Sequence, residues 1–136
     1  MKHKKTILIL GAGTAGTIMA NHLIKEVDMK SWNIQIVDER DTHYYQPGFL
    51  FLPFGIYKEE DIIRPIKSFI PDEVKFIKDH IERISHAENK VFLQSGKELE
   101  YTILIIATGS DIDANEVEGM KGEEWRKSIF DFYSFD

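Results

Sequence analysis

Gly11, Gly13 and Gly16 stand in the order G-x-G-x-x-G directly after the apolar run Ile7–Leu10. Ile18, Met19, Leu23 and Ile24 follow them at helical spacing. Between a buried strand and a helix, glycines so spaced suit the close approach of a nucleotide pyrophosphate. Gly11 permits a tight turn, Gly13 lets backbone come up against the phosphates, and Gly16 lets helix and strand pack closely. The charge is favoured there because the first helical N–H groups are unpaired and the helix dipole is positive at that end. Asp38 lies about twenty residues beyond Gly16, the distance at which an acid meets a ribose. It closes a second apolar segment, Asn33–Glu39, where a carboxylate accepts from ribose hydroxyls and repels a 2′-phosphate. Glu39, next to it, is the weaker candidate for the same role. The competing reading is that Asp38 merely ends a strand and starts a turn. These residues suit FAD and NAD equally.

Other chemistry-bearing residues are less organised. His43, Tyr44 and Tyr45 are read as packing contacts rather than as a proton relay. His80 and His86 lack metal-ligand spacing and are read as surface residues. Phe49, Leu50, Phe51, Leu52 and Phe54 form either a membrane- or quinone-facing patch or, as large apolar residues usually do, part of a core. Glu59, Glu60 and Asp61 favour the N-terminus of a following helix. There is no cysteine in the 136 residues, which excludes disulfides, thiolate metal sites and thiol catalysis within this chain.

The elements that must position these residues follow from hydrophobic patterning. A strand and helix run to about Val27, and Asn33–Glu39 is a second strand. An irregular stretch follows, punctuated by Pro47, Gly48, Pro53 and Gly55. Asp61–Ile70 reads as a short helix with Pro65 in its first turn. Glu73–Ile84 is β-like, Lys90–Thr102 is a hairpin turning at Ser95–Gly96, and Ile103–Ser110 is a buried strand ending in a glycine turn. Length predicts one domain. Apolar residues make up 43% and net charge is −6, from 17 basic and 23 acidic residues. That composition argues against disorder, against nucleic acid and against a polybasic membrane patch. No segment approaches the ~20 apolar residues of a membrane span, the N-terminal run does not read as a signal peptide, and a cytoplasmic location is expected.

Tyr101–Ser110, "YTILIIATGS", resembles the ATG motif of flavoproteins with two dinucleotide-binding domains, and this points to FAD. Read without that resemblance, it is a buried strand with a Thr-Gly turn. "HIERISHAENKVFLQSGKELEYT" has the form of the three-stranded β-meander that replaces a crossover helix in those proteins. "VDERDTHYYQPGFLFLPFG", "DIIRPIKSFIPDEVKFI" and the closing "EGMKGEEWRKSIFDFYSFD" resemble the sulfide:quinone oxidoreductase branch of the FAD-dependent pyridine nucleotide-disulfide oxidoreductases. That branch is related to type II NADH dehydrogenases. The resemblance runs from about Thr6 to Asp136.

The resemblance implies an α/β fold, with a Rossmann-like parallel sheet in the order 3-2-1-4 and a meander crossover. It assigns residues 1–110 to the N-terminal part of an incomplete FAD-binding domain and 111–136 to a tail leading toward a second domain. By position, Gly11, Ala12, Gly13, Ala15 and Gly16 would face the FAD pyrophosphate and Asp38 the ribose. Ile81 would offer backbone groups to the adenine, and Gln46 and Pro47 would lie near the ribityl chain or flavin ring. Thr108 and Gly109 would line the pyrophosphate. None of these residues is catalytic; they hold a cofactor that carries the chemistry.

A further C-terminal polypeptide is implied, with quinone and a membrane-peripheral attachment reached only through it. The apolar strand Ile103–Ala107 would otherwise be a bare sheet edge, which natural proteins avoid. It is therefore expected to be paired or covered by a second copy, by a partner polypeptide or by the tail Trp125–Phe135. A portion of an NADH:quinone-type dehydrogenase, and a non-enzymatic nucleotide-binding module or inert truncated remnant, are the alternatives.

Overall fold

A computed structural model describes residues 4–135; the first three residues of the basic start and Asp136, the last residue of the tail, lie outside it. Alternation of apolar side chains builds the main sheet. In β1 (Lys5–Leu10) Ile7 and Ile9 point to one face and Leu8 and Leu10 to the other, and all four are buried. A strand buried on both faces is continuously apolar, as this one is. The chain continues through α1 (Thr14–Glu26), β2 (Trp32–Asp38), β3 (Thr42–Tyr44), a 3-10 turn at Gln46–Phe51, α2 (Glu59–Ile62) and β4 (Ile63–Pro65). A second 3-10 turn, Ile66–Phe69, leads to β5 (Lys75–Lys78), β6 (Ile81–Ser85), β7 (Lys90–Leu93), β8 (Glu98–Glu100) and β9 (Ile103–Ile106), and Ala114–Glu116 forms a last 3-10 turn.

The sheet runs β5-β2-β1-β9, with every neighbouring pair parallel. The expected order 3-2-1-4 needs correcting in its numbering. The short strands β3 and β4 pair with each other outside this sheet, so β5 takes the third place and β9 the fourth. A separate antiparallel sheet, β6-β7-β8, provides the crossover from β5 to β9. Its turn uses Gly96 at φ +83°, a conformation that costs glycine little.

The chain divides into two compact units, residues 4–43 with 64–109 and residues 44–63 with 110–135. The first holds two apolar layers. On the helix side Ile7, Ile9, Ile34, Ile36, Ile66 and Val74 pack with Leu23, Ile24 and Val27. On the meander side Leu8, Leu10, Val37 and Ile77 pack with Val91, Leu93 and Leu99.

The second unit joins Tyr44–Ile63 to the tail. Phe135 packs against Tyr44 (4.8 Å between ring centroids) and Phe49 (5.9 Å).

Several expectations are corrected. Asp61–Ile70 is not one helix: α2 ends at Ile62, and Pro65 lies in β4, where its fixed φ of −59° leads into the 3-10 turn. The buried face of α1 consists of the small residues Gly16, Thr17 and Ala20, whereas Ile18 and Met19 are exposed. Only small side chains let the helix lie this close to the sheet. The Phe49–Phe54 cluster is not a core: Phe49 is buried, but Leu50 is 51% and Phe54 72% exposed. Glu59, Glu60 and Asp61 do form the first turn of α2, and Asp61 accepts from the Lys58 N–H at 2.9 Å. β9 stands at the sheet edge, paired with β1 alone among the described residues. Ile103 and Ile106 of that strand are 44% and 63% exposed.

Three carboxyls of the first unit are held below their ordinary value of 3.8: Asp28 by the Ser31 hydroxyl, Asp41 by the Lys78 ammonium and Asp79 by the Ser95 hydroxyl. A native carboxyl with a lowered pKa binds fewer protons than its unfolded counterpart, so its stabilisation is present above 3.8 and lost as pH falls through the native value. Urea midpoints are expected to be level between about pH 7 and 5 and to drop below about pH 4. The drop is modest because these groups are solvent-exposed.

Candidate functional site

The carboxyl ends of β1, β2 and β9 meet around the glycine turn. β1 lies between β2 and β9, so the chain's connections diverge there, and in open α/β sheets ligands bind at such a switch point. Gly11 has φ +91°, and its N–H donates to the Val37 carbonyl at 2.7 Å. A Cβ on Gly11 would stand 2.3 Å from the Ala107 carbonyl oxygen, so the turn presses directly against the end of β9. A Cβ on Gly16 would stand 1.9 Å from the Gly11 carbonyl oxygen. Gly16 therefore serves contact with the turn itself as well as with the sheet.

Gly13 differs from the other two. It is the N-cap of α1, no side chain caps that helix, and a Cβ there would meet nothing within 4 Å. Gly13, Thr14 and Ala15 are exposed while Ala12 is buried. Open space in front of the first helical turn is what a pyrophosphate needs. The residues fit a dinucleotide cofactor on this observation.

The acid is tied to the turn. Asp38 Oδ2 accepts the Ala12 N–H at 2.7 Å, and Oδ1 accepts the Arg40 N–H at 2.9 Å. Each carboxylate oxygen keeps a second lone pair for another donor. Glu39 is engaged differently: its Oε2 lies 2.7 Å from His80 Nδ1. Thr108 and Gly109 are exposed at the end of β9, with Gly109 at φ +78°. Ile81 opens β6, pairs with Leu93 and packs its side chain on the meander-side core. Gln46 and Pro47 are exposed at the start of their 3-10 turn and belong to the second unit rather than to this one.

The remaining candidates carry no assembled chemistry. The His43 ring packs on Phe69 at 4.5 Å between centroids, with Nδ1 buried and unpaired. His86 is exposed in the β6–β7 turn. No group of three metal-ligating side chains occurs among the described residues. Among them no helix is long and apolar enough to cross a membrane. The partnership of His80 with Glu39 has no local signal, because 41 residues separate the two.

The protein family described as "Pyridine nucleotide-disulphide oxidoreductase" matches residues 5–133. Among curated proteins, the mitochondrial sulfide:quinone oxidoreductase of Dictyostelium discoideum is 31% identical over 136 residues, covering 100% of this chain and 30% of that one. The type II NADH:quinone oxidoreductase of Staphylococcus haemolyticus is 33% identical over 119 residues, covering 87% and 29%. Among solved structures, the sulfide:quinone oxidoreductase of Aquifex aeolicus superposes with a TM-score of 0.69 at 32% identity, over 80% of this chain and 25% of that one. The chain thus spans about 30% of the length of the curated relatives it matches.

Proposed function

Because the chain belongs to the pyridine nucleotide-disulphide oxidoreductase family, we propose that its first unit binds the adenosine diphosphate half of FAD. It would then be the FAD-binding portion of a flavin-dependent oxidoreductase resembling sulfide:quinone oxidoreductase. The observation that carries this reading is the 2.7 Å bond from the Ala12 N–H to Asp38. It sets the acid and the glycine turn side by side at one switch point, which supports ribose and phosphate roles for them. Gly13, Thr14 and Ala15 would face the pyrophosphate, Asp38 the ribose, and Thr108 and Gly109 the far side of the phosphates. Ile81 would offer backbone to the adenine. When bound, the flavin supplies two-electron transfer between donor and acceptor; the chain's own residues bind and orient it.

The similarity to a type II NADH:quinone oxidoreductase supports a second reading, in which the same site holds FAD and the electrons arrive from a nicotinamide. Both readings place quinone, and any attachment to a membrane surface, with residues beyond the stretch shared with the relatives. The bare edge of β9 is where a further strand would add to the sheet.

The purified protein is expected to be yellow, with flavin absorbance at ~450 nm. If it is isolated colourless, ADP at about 100 times its Kd should stabilise it by about 2.7 kcal/mol, read as a rise in melting temperature. A colourless protein unmoved by either FAD or ADP would sink the reading. With no cysteine in 136 residues, sulfide finds no thiol or disulfide partner here, and this polypeptide alone is expected to show no sulfide-dependent quinone reduction.

A further inference from the structure

Resting on the nucleotide reading above, we propose that Glu39 and His80 are positioning residues that lock the adenosine wall of the site, and that neither touches the cofactor. Glu39 directly follows the ribose acid, and His80 directly precedes Ile81, whose backbone would face the adenine. The bond between Glu39 Oε2 and His80 Nδ1, at 2.7 Å, therefore joins the two stretches that must frame one nucleoside. Glu39 engages His80 through Oε2, and the task assigned to it is to hold that residue rather than to bind the ribose.

The link between β5 and β6 is held on its other sides as well. The Asp79 N–H donates to the Asp38 carbonyl at 2.9 Å, and the Gln94 N–H donates to the His80 carbonyl at 2.9 Å. The His80 N–H donates to Asp79 Oδ1 at 2.8 Å, and the Ser95 hydroxyl donates to Asp79 Oδ2 at 2.5 Å. Backbone bonds fix where the link runs. The Glu39–His80 contact, beside the ion pair of Lys78 with Asp41, is the side-chain tie to the residue directly after Asp38. Glu39 is held below its ordinary value of 4.5, first by the hydrogen bond to His80, so it is a carboxylate acceptor at neutral pH. Both side chains are 54% exposed, so the tie contributes little to global stability. Its effect falls on the geometry of the nucleoside pocket.

Calorimetric titration with ADP, together with melting temperatures measured without ligand, tests the assignment. His80→Ala and Glu39→Ala should each weaken ADP about three- to fivefold while leaving the unliganded melting temperature within about 2 °C of the parent protein. His80→Asn, whose amide N–H reaches close to the place of Nδ1, should restore most of the affinity. Unchanged ADP affinity in both alanine variants overturns the positioning role and leaves the nucleotide reading standing. Affinity that falls only in step with melting temperature, without rescue by asparagine, also overturns it. A parent protein that binds no ADP overturns the nucleotide reading and this assignment with it.

Discussion

Gly16→Ala is expected to destabilise the protein by about 3 kcal/mol or more, whereas Gly13→Ala should fold normally and lose nucleotide. The new methyl at position 16 would stand 1.9 Å from the Gly11 carbonyl oxygen. That atom is backbone in a turn already pressed on Ala107, so there is no flexible side chain to move aside. Overpacking of this kind costs about 1–3 kcal/mol when neighbours can adjust, and more when they cannot. At position 13 the methyl meets nothing within 4 Å, and φ of −67° is ordinary for alanine. Loss of a glycine N-cap and the lower entropy of the unfolded chain roughly offset, leaving stability within about 1 kcal/mol. The methyl does occupy the space in front of the first turn of α1, and ADP affinity should fall about tenfold, or about 1.4 kcal/mol. Urea unfolding and ADP titration of the two variants separate the effects. Wild-type stability in Gly16→Ala would contradict the close turn–helix contact. Wild-type ADP affinity in Gly13→Ala would move the phosphates elsewhere.

Asp38→Ala should act on both quantities at once. The carboxylate is the partner of the Ala12 N–H, and Ala12 is fully buried. Removing the acceptor leaves that donor unsatisfied, at a cost of about 1–3 kcal/mol in stability. Loss of the ribose hydrogen bonds should weaken ADP by a further ~1–3 kcal/mol. Asp38→Asn separates the two, because its carbonyl oxygen still accepts the Ala12 N–H while the other position becomes a donor. It should recover much of the stability and little of the affinity. If both variants bind ADP like the parent, Asp38 is no part of the site.

The sheet was legible because its signals are local. Ile7–Leu10, Asn33–Asp38 and Ile103–Ile106 are apolar runs bounded by turn residues, and the glycine spacing named the element that follows the first of them. Asp61–Ile70 misled because Pro65 is compatible with a helix's first turn and equally with an extended residue; the chain takes the second option, with Ile62 and Ile66 buried on either side. The run Phe49–Phe54 misled because hydrophobicity sets a tendency to be buried, and only the available neighbours decide which members achieve it. Phe49 finds Tyr44 and Phe135, while Phe54 remains in the open.

The sequence by itself determined the α/β class, the strand–turn–helix that carries the glycine motif, and the acid about twenty residues beyond it, since each depends on residues within a few positions or on a fixed spacing. Tertiary structure alone decided what those residues do to one another. It bound Asp38 to Ala12, pressed Gly11 on Ala107 and Gly16 on Gly11, and joined Glu39 to His80. The physical reason is that a hydrogen bond or steric contact between segments of the chain exists only once the sheet has fixed their register. No pattern along the chain encodes a distance across it.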